Sequence, residues 1–257
     1  MDERFVPLLR EMTQKYTPAG SVQAQPAPGE IALQGAQGAW RFYYDFTLPD
    51  APDRLPLLHW RAKRRYVELR NILLQKLVEH PLAVRIHHIV PRDAFAASLQ
   101  DVFVQETDLV EFITGQPVTK VFADFCAGEY VNCILCTAGG VRVSMELGFS
   151  PAGSQPVLLH EVIGKTGIAS DVAVDTQTQQ YPVYVFKGPD TATYTDVDAE
   201  LYGLENTQAD CVRFLVWFLQ NADGEQGGLR RQARHLQAVW QAARYSGENA
   251  VYATVEV

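Results

Sequence analysis

The sequence predicts an α+β fold, a mostly antiparallel or mixed open sheet with helices packed on one face. Three observations lead there. A series of β-type segments runs from residue 118 to residue 197 with short breaks between them. Helical periodicity comes before this series and returns after it, an order that packs as a sheet covered by helices. Within the series, Val141, Val143, Met145 and Leu147 alternate with Arg142, Ser144 and Glu146. That alternation sets one face of the sheet against a core and leaves the other comparatively polar.

In chain order, Arg4 to Lys15 predicts a short helix. Thr17 to Gly38 is rich in Pro, Gly, Gln and Ala without a sustained apolar period, and predicts a loop or linker. Trp40 to Phe46 has β-type composition, and the proline-rich Leu48 to Pro56 follows it. From Arg64 to Glu79 the apolar positions Val67, Leu69, Ile72, Leu73, Leu74, Leu77 and Val78 form a helical stripe closed by His80-Pro81. Leu82, Val84 and Ile86 then alternate as a strand. A helix over Gln105 to Thr114 stops at Gly115, with Pro117 beyond it. Strands are predicted at Val118 to Phe125, Glu129 to Thr137, Val141 to Phe149, Val157 to Gly164, Gln180 to Lys187 and Thr191 to Val197. Asn206 opens an apolar helix to Ala222 that Gly224 ends, a second helix runs from Gly228 to Tyr245, and Val251 to Val255 closes the chain as a strand.

With 257 residues, 47% hydrophobic and 20% charged, the chain has the composition of a globular protein with a sizeable core. A net charge of -8 argues against nucleic acid and anionic membranes as partners, since both call for a basic surface. The start Met1-Asp2-Glu3-Arg4 has no basic segment leading into an apolar run, and no stretch is apolar enough to span a bilayer, which predicts a cytoplasmic protein. Cys126, Cys133, Cys136 and Cys211 lie in or beside apolar segments and read as reduced thiols. Cys133 and Cys136 form a C-x-x-C inside a predicted strand, where residues three apart face opposite ways, so no metal site is expected of them. His87 with His88, and His160 with Glu161, are neighbours on strands. Their side chains diverge, which favours structural roles and no shared metal. Gly164-Lys165-Thr166 lacks the upstream glycine of a phosphate loop, Leu159 standing there instead, and no G-x-S-x-G elbow marks a hydrolase.

One cassette carries more. Asp101-Val102-Phe103-Val104-Gln105-Glu106-Thr107-Asp108-Leu109, followed by Gly115-Gln116-Pro117-Val118, resembles the D-x-G-x-H-x-x-D-L … G-x-P-V segment of the Gfo/Idh/MocA dehydrogenases. Glu161-Val162-Ile163-Gly164-Lys165-Thr166-Gly167 is similar to that family's E-V-x-G-x-x-G stretch, and Ala243 to Val251 to its closing helix and strand. The resemblance covers roughly residues 64 to 257 and implies the family's C-terminal domain, which binds substrate and forms subunit contacts, over residues 61–257. Residues 1–60 then stand as an extension and linker in place of a nucleotide-binding domain. They hold no G-x-G-x-x-G turn after a strand, and the family's E-K-P motif is absent, so no cofactor is expected on this chain.

The resemblance also implies where chemistry would sit. The family's acid/base histidine falls at Gln105, and an amide has no accessible pKa with which to act as general acid or base. No catalytic residue is therefore expected. Asp101, Gln105 and Asp108 share a helix face and either line a vestigial sugar-like pocket or serve the helix, Asp101 as a cap and Asp108 in a structural hydrogen bond. Lys63, Arg64 and Arg65, with Arg61 nearby, either grip an anionic ligand group or decorate an exposed helix start. By the resemblance the sheet's outer face would be a subunit interface, with Tyr130, Phe149, Tyr181 and Tyr184 supplying contact area. The expected function is a catalytically inactive protein that oligomerises with itself or with a full-length dehydrogenase. The alternative is a subunit of an NAD(P)-dependent sugar or polyol oxidoreductase whose Rossmann domain lies on another chain.

Overall fold

The computed structural model describes residues 4–17, 22–36, 38–47, 53–92, 98–171, 183–187, 190–194, 204 and 206–256. The fold is α+β, and the chain divides into two compact units, Met1–Lys63 with Val197–His235, and Arg64–Asp196 with Leu236–Val257.

The first unit contains a helix α1 (Phe5–Tyr16) and a four-stranded sheet in the order β1 (Gln23–Ala27), β2 (Glu30–Gly35), β3 (Gly38–Tyr43) and β4 (Arg54–Pro56). β3 and β4 run parallel and the other pairs antiparallel. A 3-10 turn (His59–Ala62) and helix α4 (Asn206–Gln220) complete its core with the first part of α5 (Ala222–Asn249). Phe42 on β3 is fully buried, its ring edge-on to Phe218 at 4.9 Å and to Phe214 at 6.4 Å. The loop or linker expected over Thr17 to Gly38 is thus corrected: β1 and β2 occupy half of it. β2 buries Ile31 and Leu33 on one face in strict alternation, whereas β1 is almost wholly exposed and owes its conformation to pairing with β2.

The second unit is built on a nine-stranded sheet of β5 (Pro81–Pro91), β6 (Val118–Cys126), β7 (Tyr130–Thr137), β8 (Arg142–Ser150), β9 (Val157–Gly164), β10 (Ile168–Ser170), β11 (Val183–Lys187), β12 (Asp190–Tyr194) and β13 (Ala253–Thr254), in the order β12-β11-β10-β9-β5-β8-β7-β6-β13. The sheet is mixed, since β5 pairs parallel with β8 while its other neighbours are antiparallel. Register places Val84, Ile86 and His88 of β5 on the same face as Met145, Leu147, His160, Val162, Cys133 and Ala123. Helices α2 (Arg64–Leu74) and α3 (Leu99–Thr114) pack on that inner face. Phe103 of α3 and Phe125 of β6 both meet Trp240 near the end of α5.

α3 begins six residues before the predicted Gln105, because Ser98 and Asp101 form a capping box: the Ser98 hydroxyl accepts from the Asp101 N–H while the Asp101 carboxylate accepts from the Ser98 N–H. It ends at Gly115, whose φ of 69° is the left-handed cap glycine favours. α5 begins at Ala222, so Gly224 lies inside a helix that it was expected to precede. Residues 180–182 of the predicted strand Gln180 to Lys187 and 195–197 of the predicted strand Thr191 to Val197 lie outside the described residues, Tyr181 among them.

Candidate functional site

On the inner face of the nine-stranded sheet, side chains from two helices, two strands and the residue after β10 join into one buried chain of alternating charge. Arg65, on the first turn of α2, places Nη1 3.1 Å from Asp171 Oδ2. Asp171 also accepts from the His160 backbone N–H at 2.5 Å and from His160 Nδ1 at 2.9 Å. His160 Nε2 lies 2.8 Å from Glu106 Oε2, and Glu106 Oε1 lies 2.6 Å from His88 Nδ1 and 3.1 Å from Gln105 Nε2. Side-chain exposure is 4% or less from Arg65 through Glu106 and rises to 15% at His88. The chain therefore reaches the surface at one end, where His88 and Gln105 meet.

Burial works against the charge on His160, Glu106 and Asp171, but their neighbours outweigh it. Asp171 and Glu106 on either side raise His160 to about 9, so its imidazolium donates from both nitrogens. His160 and His88 hold Glu106 well below the usual carboxylate range, and His160 and Arg65 do the same for Asp171. The Tyr66 ring closes over His160 edge-on at 4.7 Å.

A pH signature follows. His160 titrates near 6.5 when unfolded and about 9 when folded, so its contribution to stability is full below about pH 6.5 and is lost as pH rises through about 9. Glu106 and Asp171 have depressed values, so theirs is present above about pH 4.5 and is lost as pH falls. Urea midpoints measured from about pH 4 to about pH 10 are expected to peak at about pH 5 to 6.5. A flat profile above that peak would mean a neutral His160.

The expected site residues fall as follows. Gln105 lies at the mouth of the buried chain and gives its amide N–H to Glu106. Asp101 is engaged in the capping box and Asp108 is fully buried. Of the basic trio, Lys63 closes the 3-10 turn of the first unit, Arg64 reaches out to Glu68 at 3.3 Å, and Arg65 turns inward to Asp171. Arg64 and Arg65 are thus held by separate carboxylates of the protein itself. Sequence reasoning passed over Glu106 and Asp171 and read His88 and His160 as isolated structural histidines. The available signal was parity: both histidines continue the inward alternation of their strands, facing a helix with a glutamate among its apolar positions.

A cleft of about 350 Å³ lies elsewhere in the second unit, lined by Leu99, Phe125, Trp240, Arg244, Gly247 and Glu248, with Arg244 and Glu248 paired at 3.6 Å on its rim. None of the site residues lines it. Among the described residues no His, Cys, Asp or Glu cluster has the form of a metal site. Cys133 faces the core, where burial pushes its thiol up, and Cys136 faces outward toward Arg142. Among the same residues no helix is long and apolar enough to cross a membrane.

No protein-family model matches the chain, and no curated protein is similar to it in sequence. Solved structures do match. An oxidoreductase from Agrobacterium radiobacter in complex with NAD+, L-tartaric acid and magnesium superposes with a TM-score of 0.65 at 15% identity, over 79% of this chain and 65% of that one. A levoglucosan dehydrogenase in complex with NADH and levoglucosan gives 0.65 at 12% identity, over 79% and 66%. An oxidoreductase domain protein from Kribbella flavida gives 0.61 at 12% identity, over 78% and 66%. This chain thus spans just under two thirds of the length of each. At such identities the likeness is one of architecture: the chain carries a large part of the fold of these oxidoreductases.

Proposed function

We propose that the chain is a dehydrogenase-fold protein that does not itself run hydride transfer and that acts by assembling through the outer face of its nine-stranded sheet. The observation that carries this is the distribution of exposed apolar side chains. Ile134, Val157, Ile168 and Phe186 all occupy outward register positions, and Tyr252 meets outward-facing Phe122 at 5.3 Å; each of the five is at least 36% exposed. Apolar groups gathered on one face mark an interaction surface. Between the two apolar ends, Arg85 with Glu161 and His87 with Glu146 form a polar middle, a pattern able to meet its own copy across a two-fold axis. Of the expected aromatic set, Tyr130 and Tyr184 hold outward register positions, Tyr184 with little exposed surface, and Phe149 sits on the opposite, inner face. Gln105 at the family's acid/base position supports the absence of hydride chemistry.

Light-scattering mass is the test. A multiple of 28.7 kDa is expected, falling to one chain when Ile134→Lys and Ile168→Lys are combined, with the circular dichroism spectrum kept. A single-chain mass for the unaltered protein at micromolar concentration would overturn the reading.

The structural neighbours favour one alternative, an oxidoreductase subunit completed by a cofactor-binding chain, because two of them were solved with NAD+ or NADH over a longer chain. That reading expects NADH fluorescence to respond only when the second polypeptide is present.

A further inference from the structure

The cleft between the end of α5, the start of α3 and the β6–β7 turn lies wholly within the second unit, apart from the buried charged chain. Its volume of about 350 Å³ is that of a small-molecule site. The wall is apolar, made by Leu99, Phe125 and Trp240, with the indole 5.7 Å from the Phe125 ring and 5.1 Å from that of Phe103. Gly247 lets this wall close. A Cβ there would lie 2.6 Å from the Phe125 ring, so a larger residue would drive the ring off the helix. The rim supplies the charged members of the lining, Arg244 and Glu248. Arg244 Nη2 lies 3.6 Å from Glu248 Oε1, too far for a hydrogen bond, and both side chains are more than half exposed. Such a pair adds little stability and gives up little when a ligand intervenes. Glu248 also stands in the last turn of α5, which contains no basic residue, so its carboxylate adds to the negative end of the helix dipole. The surroundings favour a cation at Glu248 and an anion one turn earlier at Arg244, both beside an apolar wall.

We infer that the cleft binds a free α-amino acid with an aromatic side chain. Its carboxylate accepts from Arg244, its ammonium donates to Glu248, and its ring enters against Trp240 and Phe125, whose own rings favour edge-to-face neighbours. Bond lengths around one Cα hold an ammonium nitrogen and a carboxylate oxygen about 3 Å apart. That spacing is close to the separation of the rim pair, so a zwitterion laid head to tail against it meets an opposite charge at both ends. A peptide has the wrong charges, since an internal residue carries neither group and a terminal residue only one. Binding is non-covalent and changes no bond of the ligand. None of the outward apolar residues of the sheet lines the cleft, and the inference does not rest on assembly through that face. Assembly is read as mass, and this site as the resonance of one indole.

Titration of the intact chain with L-phenylalanine, followed through the indole N–H resonance of Trp240 in ¹H–¹⁵N spectra, tests it. A saturable shift is expected in the millimolar range or below. L-Alanine, which keeps both charges but lacks the ring, should leave the resonance in place. N-acetyl-L-phenylalanine, which loses the ammonium, and L-phenylalanine amide, which loses the carboxylate, should each bind about tenfold more weakly. Arg244→Gln should weaken L-phenylalanine about tenfold and leave the amide unchanged. Glu248→Gln should weaken L-phenylalanine by as much and leave the N-acetyl compound unchanged. Both side chains are exposed, so neither variant threatens the fold. No saturation by about 10 mM L-phenylalanine, equal affinity for the three phenyl compounds, or variants that bind like the unaltered chain would each overturn the proposal.

Discussion

Replacing Glu106 by alanine is expected to cost about 3 to 5 kcal/mol of folding stability, because the substitution breaks a buried charged network and leaves its partners behind. Both carboxylate oxygens are occupied, one by His88 and Gln105 and the other by His160, and the side chain has no exposed surface. Without it, His160 keeps only Asp171 as a counter-charge, in a site closed by the Tyr66 ring. Its raised value should fall back toward 6.5, and the loss of stability on the alkaline side should begin at lower pH. Urea denaturation at about pH 6 and about pH 8 measures both effects. A loss under about 1 kcal/mol would mean that the charges are not assembled as described.

Phe42→Ala should be comparably severe, about 3 to 5 kcal/mol, through lost transfer energy and the cavity left among rings that cannot fully collapse. Phe42 is 0% exposed and lies edge-on to both Phe214 and Phe218. The experiment is denaturation followed by the fluorescence of Trp40 and Trp60, which belong to the same unit. The outcome also bears on the part played by the first sixty or so residues. A linker would tolerate the change, whereas a sheet whose helical partner comes from residues 206–220 would not.

The nine-stranded sheet was legible because most of its strands have one buried face, and burial on one face writes period-two alternation into the sequence. Val157 to Gly164 matched an observed strand at both ends, and α1 and α2 were found at or within one residue of their true starts. What escaped notice has physical causes. Gln23–Ala27 buries almost nothing and contains Pro26, so its strand character comes from β2 and leaves no local trace. Asp101 was weighed as a cap, but its partner Ser98 was not, so the start of α3 was set six residues late. The buried chain was the hardest to see, since it joins residues 65, 88, 106, 160 and 171, and their meeting depends on which strands become neighbours. The resemblance directed attention to position 105, one residue short of the carboxylate that organises the site.

The parallel pairing of β5 with β8 at the centre of the sheet bears on how the chain reaches this fold. Ala83 pairs with Arg142 on one side and Ile163 on the other, so β5 must wait for partners made roughly sixty to eighty residues later. The β6–β7 and β7–β8 hairpins can close locally in the meantime. On a ribosome the alternating apolar segment Leu82 to Val90 would therefore emerge early and stay unpaired longest, with both edges open to other chains. Folding yield, more than final stability, should then be governed by how well that one segment is shielded while β8 and β9 are still being synthesised.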